Sequence, residues 1–266
     1  MTDVTEPVAP NERVVRGPLA LYLSDFPRAV GGFGFYLATR SLLRARAPKG
    51  DGHPVLILPG LLAGDASTLV LRRYLRQLGY EAHGWGLGRN IGPTPQVVHG
   101  IEAKFEALVE RHARTVSVIG WSLGGIYARV LARLRPEGVR QVVTLGSPYR
   151  LDEPSRSRAY RAYTRYSRLH VQDVVVPTSI AAADPLPVPT TSVYSRLDGI
   201  VPWESCMEEP GETRESIEVL SSHFGFGHNP AVLWLIADRL ALPEGAWKPF
   251  EPPAFARALF SRRVTR

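Results

Sequence analysis

Residues 116–125 read Val-Ser-Val-Ile-Gly-Trp-Ser-Leu-Gly-Gly, and this stretch decides the fold. A short apolar run leads into Gly-x-Ser-x-Gly at 120–124, and a helix-compatible pattern follows at once. This strand–turn–helix order is the context of a nucleophile elbow, a turn so tight that the neighbours of the serine must be small. Glycine meets that need because it has no Cβ. The pattern predicts that Ser122 presents its hydroxyl to a substrate; the alternative is an ordinary glycine-rich turn around a buried serine.

Strands and helices alternate along the chain on both sides of this turn. Short apolar runs predict strands, and segments with apolar residues three or four apart predict helices. The expected strands are 55–58, 82–86, 116–119, 139–145, 191–194 and 216–220, and the expected helices are 67–78, 95–112, 123–135 and 231–240. Strands separated by helices form parallel sheets, and strands that are apolar throughout are covered on both faces. The sequence therefore predicts an α/β fold with a mostly parallel sheet and helices on both faces.

The rest of the chain divides into a few further segments. We expect a flexible tail at 1–17, a helical segment at 18–50, the main domain at 51–243, and a tail at 244–266 that packs on its surface. The segment 19–47 reads as one or two helices broken at Pro27 and Gly31-Gly32. Within the main domain the alternation stops at about 149–189. There, over 155–170, tyrosines and a leucine recur every three residues among arginines, which predicts a small helical lid or a solvated surface helix.

Composition narrows the class of protein. The 266 residues are 44% hydrophobic and 21% charged, as expected for one soluble domain. The single cysteine, Cys206, excludes an internal disulfide, and no Cys/His cluster has zinc spacing, so we expect neither a metal nor a cofactor. The net charge of +7 comes without a nucleic-acid motif or a dense Lys/Arg block. It therefore favours solubility or contact with an anionic surface over nucleic-acid binding.

The N-terminal region does not predict secretion or a membrane span. Residues 1–11 are polar and acidic, unlike a signal peptide. The segment 19–43 is apolar but is interrupted by charged residues and a proline, which makes it a poor spanning helix. We therefore expect a cytoplasmic protein, and contact of this segment with a membrane surface remains open. The sequence does not predict the oligomeric state.

A serine hydroxyl needs a histidine to take its proton and an acid to orient that histidine. Asp198 is the favoured acid because it follows the predicted strand 191–194 and precedes a glycine; Asp184, in an alanine- and proline-rich linker, is the alternative. His223 is the favoured base because it comes directly after the predicted strand 216–220. His228, at the start of the last helix, is expected to cap that helix or to support the site from behind.

The negative oxygen of a tetrahedral intermediate needs two preorganised N–H donors, which form an oxyanion hole. One is expected from Leu123, the residue after the serine. The other is expected from the loop after the first core strand, where Pro59 has no N–H to donate. Gly60 can aim the N–H of Leu61 into the site, and Leu62 is the alternative donor.

Several short matches to one family extend from about 53 to 240. They read Leu-Pro-Gly at 58–60, Trp-Gly-Leu-Gly-Arg-Asn-Ile-Gly-Pro at 85–93, Gly-Trp-Ser-Leu-Gly-Gly at 120–125, Gly-Ser-Pro at 146–148, Asp-Gly-Ile-Val at 198–201 and Ser-His-Phe-Gly at 222–225. On these motifs the chain resembles a bacterial serine esterase/lipase of the α/β-hydrolase superfamily, close to its compact lipase-like branch. Many lipases have His-Gly in the oxyanion loop, whereas this chain has Pro59-Gly60.

The resemblance implies a fold and a reaction. The expected fold is a three-layer α/β-hydrolase fold with about six strands and a small helical lid insertion. The expected activity is cleavage of a small-molecule or lipid ester through an acyl-enzyme, with Ser122, Asp198 and His223 as a triad. Serine at the elbow argues against dehalogenases and epoxide hydrolases, which carry an acid there. Thioesterase, amidase and acyltransferase activities remain open, as does a non-catalytic binding protein on the same fold. Residues 85–93 are expected to form a wall or rim of the site.

Overall fold

Six parallel strands form one sheet in the computed structural model, which describes residues 18–150, 157–171 and 184–260. The spatial order is β2-β1-β3-β4-β5-β6. The strands are β1 (Pro54–Leu58), β2 (Glu81–Gly84), β3 (Val116–Trp121), β4 (Val139–Leu145), β5 (Thr190–Tyr194) and β6 (Arg214–Glu218). The predicted parallel sheet of about six strands is confirmed, with each strand within a few residues of its expected place.

The helices pack on both faces of this sheet. They are α1 (Leu19–Arg46), α2 (Leu69–Leu78), α3 (Pro95–His112), α4 (Leu123–Leu134), α5 (Tyr160–Thr164) and α6 (Pro230–Leu240). Side chains of α1, α2 and α6 join one hydrophobic core, and those of α3 and α4 join another. Because successive side chains of a strand point to opposite faces, Val55 and Ile57 enter the first core and Leu56 and Leu58 the second. The three-layer arrangement follows from this alternation.

The strand order reverses beside β1, and this places the site. From β1 the chain moves outward in one direction to β2, and then crosses to β3 on the other side of β1. In open parallel sheets, ligands bind outside the carboxyl ends of the strands at such a switch point. Gly60 follows the carboxyl end of β1 and Ser122 that of β3. The topology therefore brings the two predicted segments to one crevice.

The N-terminal segment differs from its prediction. It forms a single continuous helix, α1, that runs through Pro27 and the Gly31-Gly32 pair. Its buried residues, Asp25, Ala29, Tyr36 and Leu43, recur at helical spacing and lie against the rest of the protein. Packing along this face stabilises the helix more than its one proline and three glycines, at 31, 32 and 34, disfavour it.

The helical insertion is more broken than predicted. Residues 155–170 were expected to form one helix, but the described part contains the short helix α5 and a separate 3₁₀ turn at Ser167–Leu169. Tyr160 and Leu169, at the two ends of the expected stripe, are exposed. Residues 151–156 and 172–183 of the expected insertion, and the tails at 1–17 and 261–266, lie outside the described residues.

The described part of the C-terminal tail lies against the main domain. Phe250, Ala256 and Phe260 are buried and belong to the core on the α1 side of the sheet. Phe260 also forms an antiparallel bridge with Val219, just beyond β6. These contacts hold the described part of the tail on the main domain beside the end of the edge strand β6.

Candidate active site

Ser122 lies in a strained turn between β3 and α4. Its backbone has φ 53° and ψ −121°, a conformation that residues with a Cβ rarely adopt. The Ser122 N–H donates to the carbonyl of Leu145 at 2.8 Å, which holds the turn against β4. A Cβ on Gly120 or Gly124 would overlap the neighbouring backbone, so the turn requires glycine at both positions. This local geometry is what the sequence pattern predicted.

Asp198 and His223 meet at the carboxyl ends of β5 and β6. His223 Nδ1 lies 2.6 Å from Asp198 Oδ2, and both side chains are buried. The other carboxylate oxygen of Asp198 accepts the N–H groups of Ile200 at 2.7 Å and Val201 at 2.8 Å. A carboxylate held in this way fixes the orientation of the imidazole, because Nδ1–H donates to it and Nε2 is left as a proton acceptor.

The surroundings of His223 favour its protonated form. Burial alone would lower the pKa of the imidazole, but the charge of Asp198, the hydrogen bond to Asp198 and the charge of Asp25 outweigh it. The pKa of His223 is therefore raised above its usual value of 6.5. A base that becomes positive during a reaction is stabilised by these two carboxylates.

Close packing brings the three side chains to one place. A Cβ on Gly146, directly after β4, would lie 3.2 Å from Asp198 Oδ2 and 3.3 Å from His223 Nδ1. A Cβ on Gly60 would lie 3.1 Å from the Ser122 Cβ. Ser122 and His223 line the same cavity. The structure thus brings the predicted acid, base and serine together at the switch point of the sheet.

The cavity at Ser122 is large and mostly apolar. Its volume is about 640 Å³, within the usual range for small-molecule sites. α1 contributes Tyr22, Leu23 and Phe26 to its wall, and the insertion contributes Arg158 and Ala162. The other lining residues are Gly60, Leu61, Leu62, Ala63, Ser67, Trp121, Ala159, Ile200 and Phe224. The contribution of α1 was not predicted, because nothing in its sequence indicates which distant cavity it faces.

The candidate oxyanion donors, Leu123, Leu61 and Leu62, differ in whether their N–H groups are free to bind an oxyanion. Leu123 is the first residue of α4, and the first N–H groups of a helix have no partner within the helix. In the other loop, the N–H of Leu62 already donates to the carbonyl of Asn90 at 2.6 Å. This bond removes Leu62 as a donor, and Leu61, next to Gly60, remains the candidate.

The glycine-rich segment 85–93 supports the oxyanion loop from behind. The Asn90 side chain is buried and donates to the carbonyl of Pro59 at 2.9 Å, and the Asn90 N–H donates to the carbonyl of Ala63 at 2.8 Å. The described residues that line the cavity come from other segments. Residues 85–93 therefore form no part of the described cavity wall; they support the loop that does.

The alternative acid and the second histidine have other contacts. The carbonyl of Asp184 accepts hydrogen bonds from Arg129 and Arg133 on α4. His228 Nε2 lies 2.9 Å from the carbonyl oxygen of Ala29 on α1. Asn229, not His228, caps α6 through its side chain. His228 thus ties α1 to the segment that carries His223.

One charged residue of the site was missed. Asp25 on α1 is completely buried and accepts the backbone N–H groups of Gly199, His223 and Phe224. The sequence signal was a lone carboxylate in a long apolar helix, and it was interpreted only as an obstacle to membrane insertion. Its partners lie more than 170 residues away, which no local pattern indicates.

A second serine, histidine and aspartate form a hydrogen-bonded chain at the opposite end of the sheet. His53 Nε2 lies 2.9 Å from Ser117 Oγ, and His53 Nδ1 lies 2.5 Å from Asp51 Oδ1. His53 and Ser117 have no exposed surface and do not line the cavity that contains Ser122. Burial lowers the pKa of His53. A substrate cannot reach the buried His53 and Ser117, whereas Ser122 and His223 line a cavity. Accessibility therefore distinguishes the two groups of residues.

Comparison with solved structures identifies the fold. Aspergillus fumigatus lipase B superposes with a TM-score of 0.59 at 14% identity, over 77% of this chain and 58% of that one. MGS-MChE2, an α/β-hydrolase enzyme from a sediment metagenome of the Mar Chica lagoon, gives 0.51 at 17% identity, over 72% and 91%. The chain has the α/β-hydrolase fold. It spans less than two thirds of the length of the Aspergillus lipase.

A third solved structure matches over a similar share of this chain. The mature Bacillus licheniformis lipase BlEst2 superposes with a TM-score of 0.52 at 15% identity, over 73% of this chain and 94% of that one. No protein-family model matches the sequence. Within residues 18–150, 157–171 and 184–260, no helix is both long and apolar enough to cross a membrane, and no cluster of His, Cys, Asp and Glu has the arrangement of a metal site.

Proposed function

We propose that this chain hydrolyses carboxylic esters through an acyl-enzyme on Ser122. The observation that carries the proposal is the buried His223–Asp198 pair, 2.6 Å apart, whose histidine shares an apolar cavity with a serine in a strained turn. A serine, an oriented histidine and a buried carboxylate are the parts that acyl transfer needs. The apolar wall of the cavity favours an ester with an apolar acyl chain.

The proposed reaction has two halves. Ser122 Oγ attacks the ester carbonyl carbon while His223 Nε2 takes the hydroxyl proton, and Asp198 stabilises the imidazolium that forms. The tetrahedral oxyanion is held by the N–H groups of Leu61 and Leu123. As it collapses, the bond to the alcohol breaks and His223 returns the proton to the leaving oxygen. Water then attacks the acyl-enzyme with His223 again as base, which releases the carboxylic acid and restores Ser122.

The test is a pair of serine variants. Ser122→Ala removes the nucleophile and should reduce the hydrolysis of short p-nitrophenyl esters to background, a loss of about 10⁴-fold or more. Ser117→Ala is the matched control, because Ser117 is hydrogen-bonded to a histidine but is fully buried and does not line the cavity. We expect it to keep its turnover. Full turnover by a folded Ser122→Ala protein would rule out the assignment.

A specific observation favours a lipid surface as the place of action. Large apolar side chains of α1 are exposed in a row at 4-3-4-3-4 spacing: Leu19, Leu23, Phe26, Val30, Phe33 and Leu37. Two of them, Leu23 and Phe26, also line the cavity, so the row is continuous with its wall. The chain carries a net charge of +7, which suits an anionic membrane. We therefore propose that this row rests on an anionic lipid surface.

Vesicle binding tests this surface separately from the chemistry. The double variant Leu19→Asp/Val30→Asp changes two exposed residues of the row that do not line the cavity. The unchanged chain should float with vesicles that contain anionic phospholipid, and the variant should not, while both hydrolyse a soluble ester equally. Failure of the unchanged chain to bind such vesicles would remove the lipid proposal and leave the proposed reaction intact.

A further inference from the structure

The buried face of α1 carries one carboxylate, and it reaches both loops of the candidate acid and base. Asp25 has no exposed surface. Its Oδ2 accepts the backbone N–H groups of Gly199 and His223, each at 2.9 Å, and its Oδ1 accepts that of Phe224 at 3.0 Å. Gly199 directly follows Asp198 in the chain. One side chain therefore fixes the backbone beside the acid and at the base.

The backbone of α1 also lies directly against the loop that carries Asp198. A Cβ on Gly199 would overlap the carbonyl of Leu21, so this close approach requires glycine while the helix keeps its place. Arg28 Nη1 donates to the carbonyl of Leu197 at 2.8 Å. The helix and the loop are thus joined by packing as well as by hydrogen bonds, although they lie far apart in the sequence.

We propose that Asp25 is a positioning residue that holds Asp198 and His223 in register for proton transfer with Ser122. The inference rests on the ester hydrolysis proposed above. Asp25 acts through the backbone of the two loops and touches neither substrate nor reacting atoms. Catalytic groups must be held within a fraction of an ångström by surrounding contacts, and a carboxylate shared by two loops supplies such a contact.

The charge of Asp25 acts on the base as well. Two carboxylates face His223, Asp198 at its ring and Asp25 at its backbone N–H. Arg28, 3.5 Å from Asp25, is the cation paired with this cluster. Burial disfavours the imidazolium, and both carboxylates counter it, so that the pKa of His223 is raised. The same charges stabilise the imidazolium that forms when His223 takes the serine proton.

An asparagine substitution at position 25 distinguishes this positioning role from simple filling of space. Asp25→Asn keeps the shape of the side chain but replaces one acceptor oxygen with an NH₂ group. Whichever way the amide turns, that NH₂ group faces at least one backbone N–H that the carboxylate now accepts. We expect kcat to fall by about 10- to 100-fold while KM stays within about twofold, because orientation is lost and the cavity is kept.

The pH profile provides a second readout. Loss of the Asp25 charge should move the acid limb of the kcat/KM profile to lower pH, since that charge raises the pKa of His223. Glu215→Gln is the matched control. Glu215 is also buried and accepts a backbone N–H, that of Phe250 at 2.8 Å, but it lies on β6 away from the cavity. We expect Glu215→Gln to lose stability and to keep both kcat and the acid limb.

The outcomes separate this proposal from the proposed reaction. Retained ester hydrolysis by Ser122→Ala overturns the reaction itself. If Ser122→Ala is inactive but Asp25→Asn only loses thermal stability, as Glu215→Gln does, the positioning role is overturned. A fall in kcat together with a shifted acid limb, in Asp25→Asn alone, supports it.

A second variant covers the case in which Asp25→Asn does not fold. Arg28→Gln removes the positive charge beside Asp25 at a position that is 29% exposed. The unscreened Asp25 carboxylate then stabilises the imidazolium further, and the acid limb should move to higher pH, opposite to the effect of Asp25→Asn. An acid limb that does not move in Arg28→Gln overturns the electrostatic part of the role and with it the proposal.

Discussion

At the scale of single residues, hydrogen bonds alone do not identify a catalytic group. The described part of the chain contains two aspartate–histidine pairs of similar geometry, Asp198 with His223 and Asp51 with His53. They differ in their surroundings. His223 shares a cavity with Ser122 and has a raised pKa, whereas His53 is sealed in the core and has a lowered one. Access to a cavity and the charges around the ring decide which histidine can serve as a base.

Replacing the aspartate of each pair with asparagine should have different effects on catalysis. Asp198→Asn should lower kcat by about 10³- to 10⁴-fold, because the imidazole loses its orienting carboxylate. The acid limb of kcat/KM should also move to lower pH, since Asp198 raises the pKa of His223. Asp51→Asn disrupts the other pair and should cost stability while leaving the pH–rate profile in place. Equal effects of the two variants on the profile would contradict the assignment of acid and base.

The sequence predicted those site residues that carry a local signature. Ser122 lies in a glycine motif, and Asp198 and His223 each follow a strand at the expected place in the chain. Asp25 has no such signature, because its role depends on contacts with residues 199, 223 and 224. A lone carboxylate in an apolar helix indicates a buried partner but does not say which one.

At the scale of elements, α1 differs most from the structure predicted from its sequence. Its proline and paired glycines predicted a break, yet the helix continues for 28 residues. The compensation comes from its buried face, where Ala29, Tyr36 and Leu43 pack on the core and Asp25 binds two loops. Local propensity is worth about 1 kcal/mol at a glycine, and tertiary packing of a long helix exceeds it.

Two glycine-to-alanine variants test how α1 meets the loop of the acid. Gly199→Ala places a methyl group against the Leu21 carbonyl, and we expect it to destabilise the protein by about 1–3 kcal/mol and to reduce kcat. Gly31→Ala is the control within α1, where the added methyl group meets open space. It should stabilise the protein by about 0.5–1 kcal/mol through helix propensity. Thermal unfolding measures both, and a stable, fully active Gly199→Ala protein would refute the close approach.

At the scale of the whole molecule, the alternation of strands and helices was sufficient to predict the sheet. It was not sufficient to predict the cavity, because its walls come from α1, the insertion and several loops that meet only in three dimensions. Residues such as Tyr22, Arg158 and Phe224 are unrelated in sequence yet line one space. For this reason the fold and the candidate triad could be predicted, while the acyl group that the cavity accepts could not.

The account as a whole depends on one accessible nucleophile at the switch point of the sheet. A fluorophosphonate reacts with an activated serine and leaves a covalent adduct that peptide mapping by mass spectrometry can locate. We predict a single adduct on the folded protein, at Ser122, and none at Ser117, whose hydroxyl is buried against His53. A folded protein that takes up no label, or that carries the adduct on another residue, would contradict the central claim.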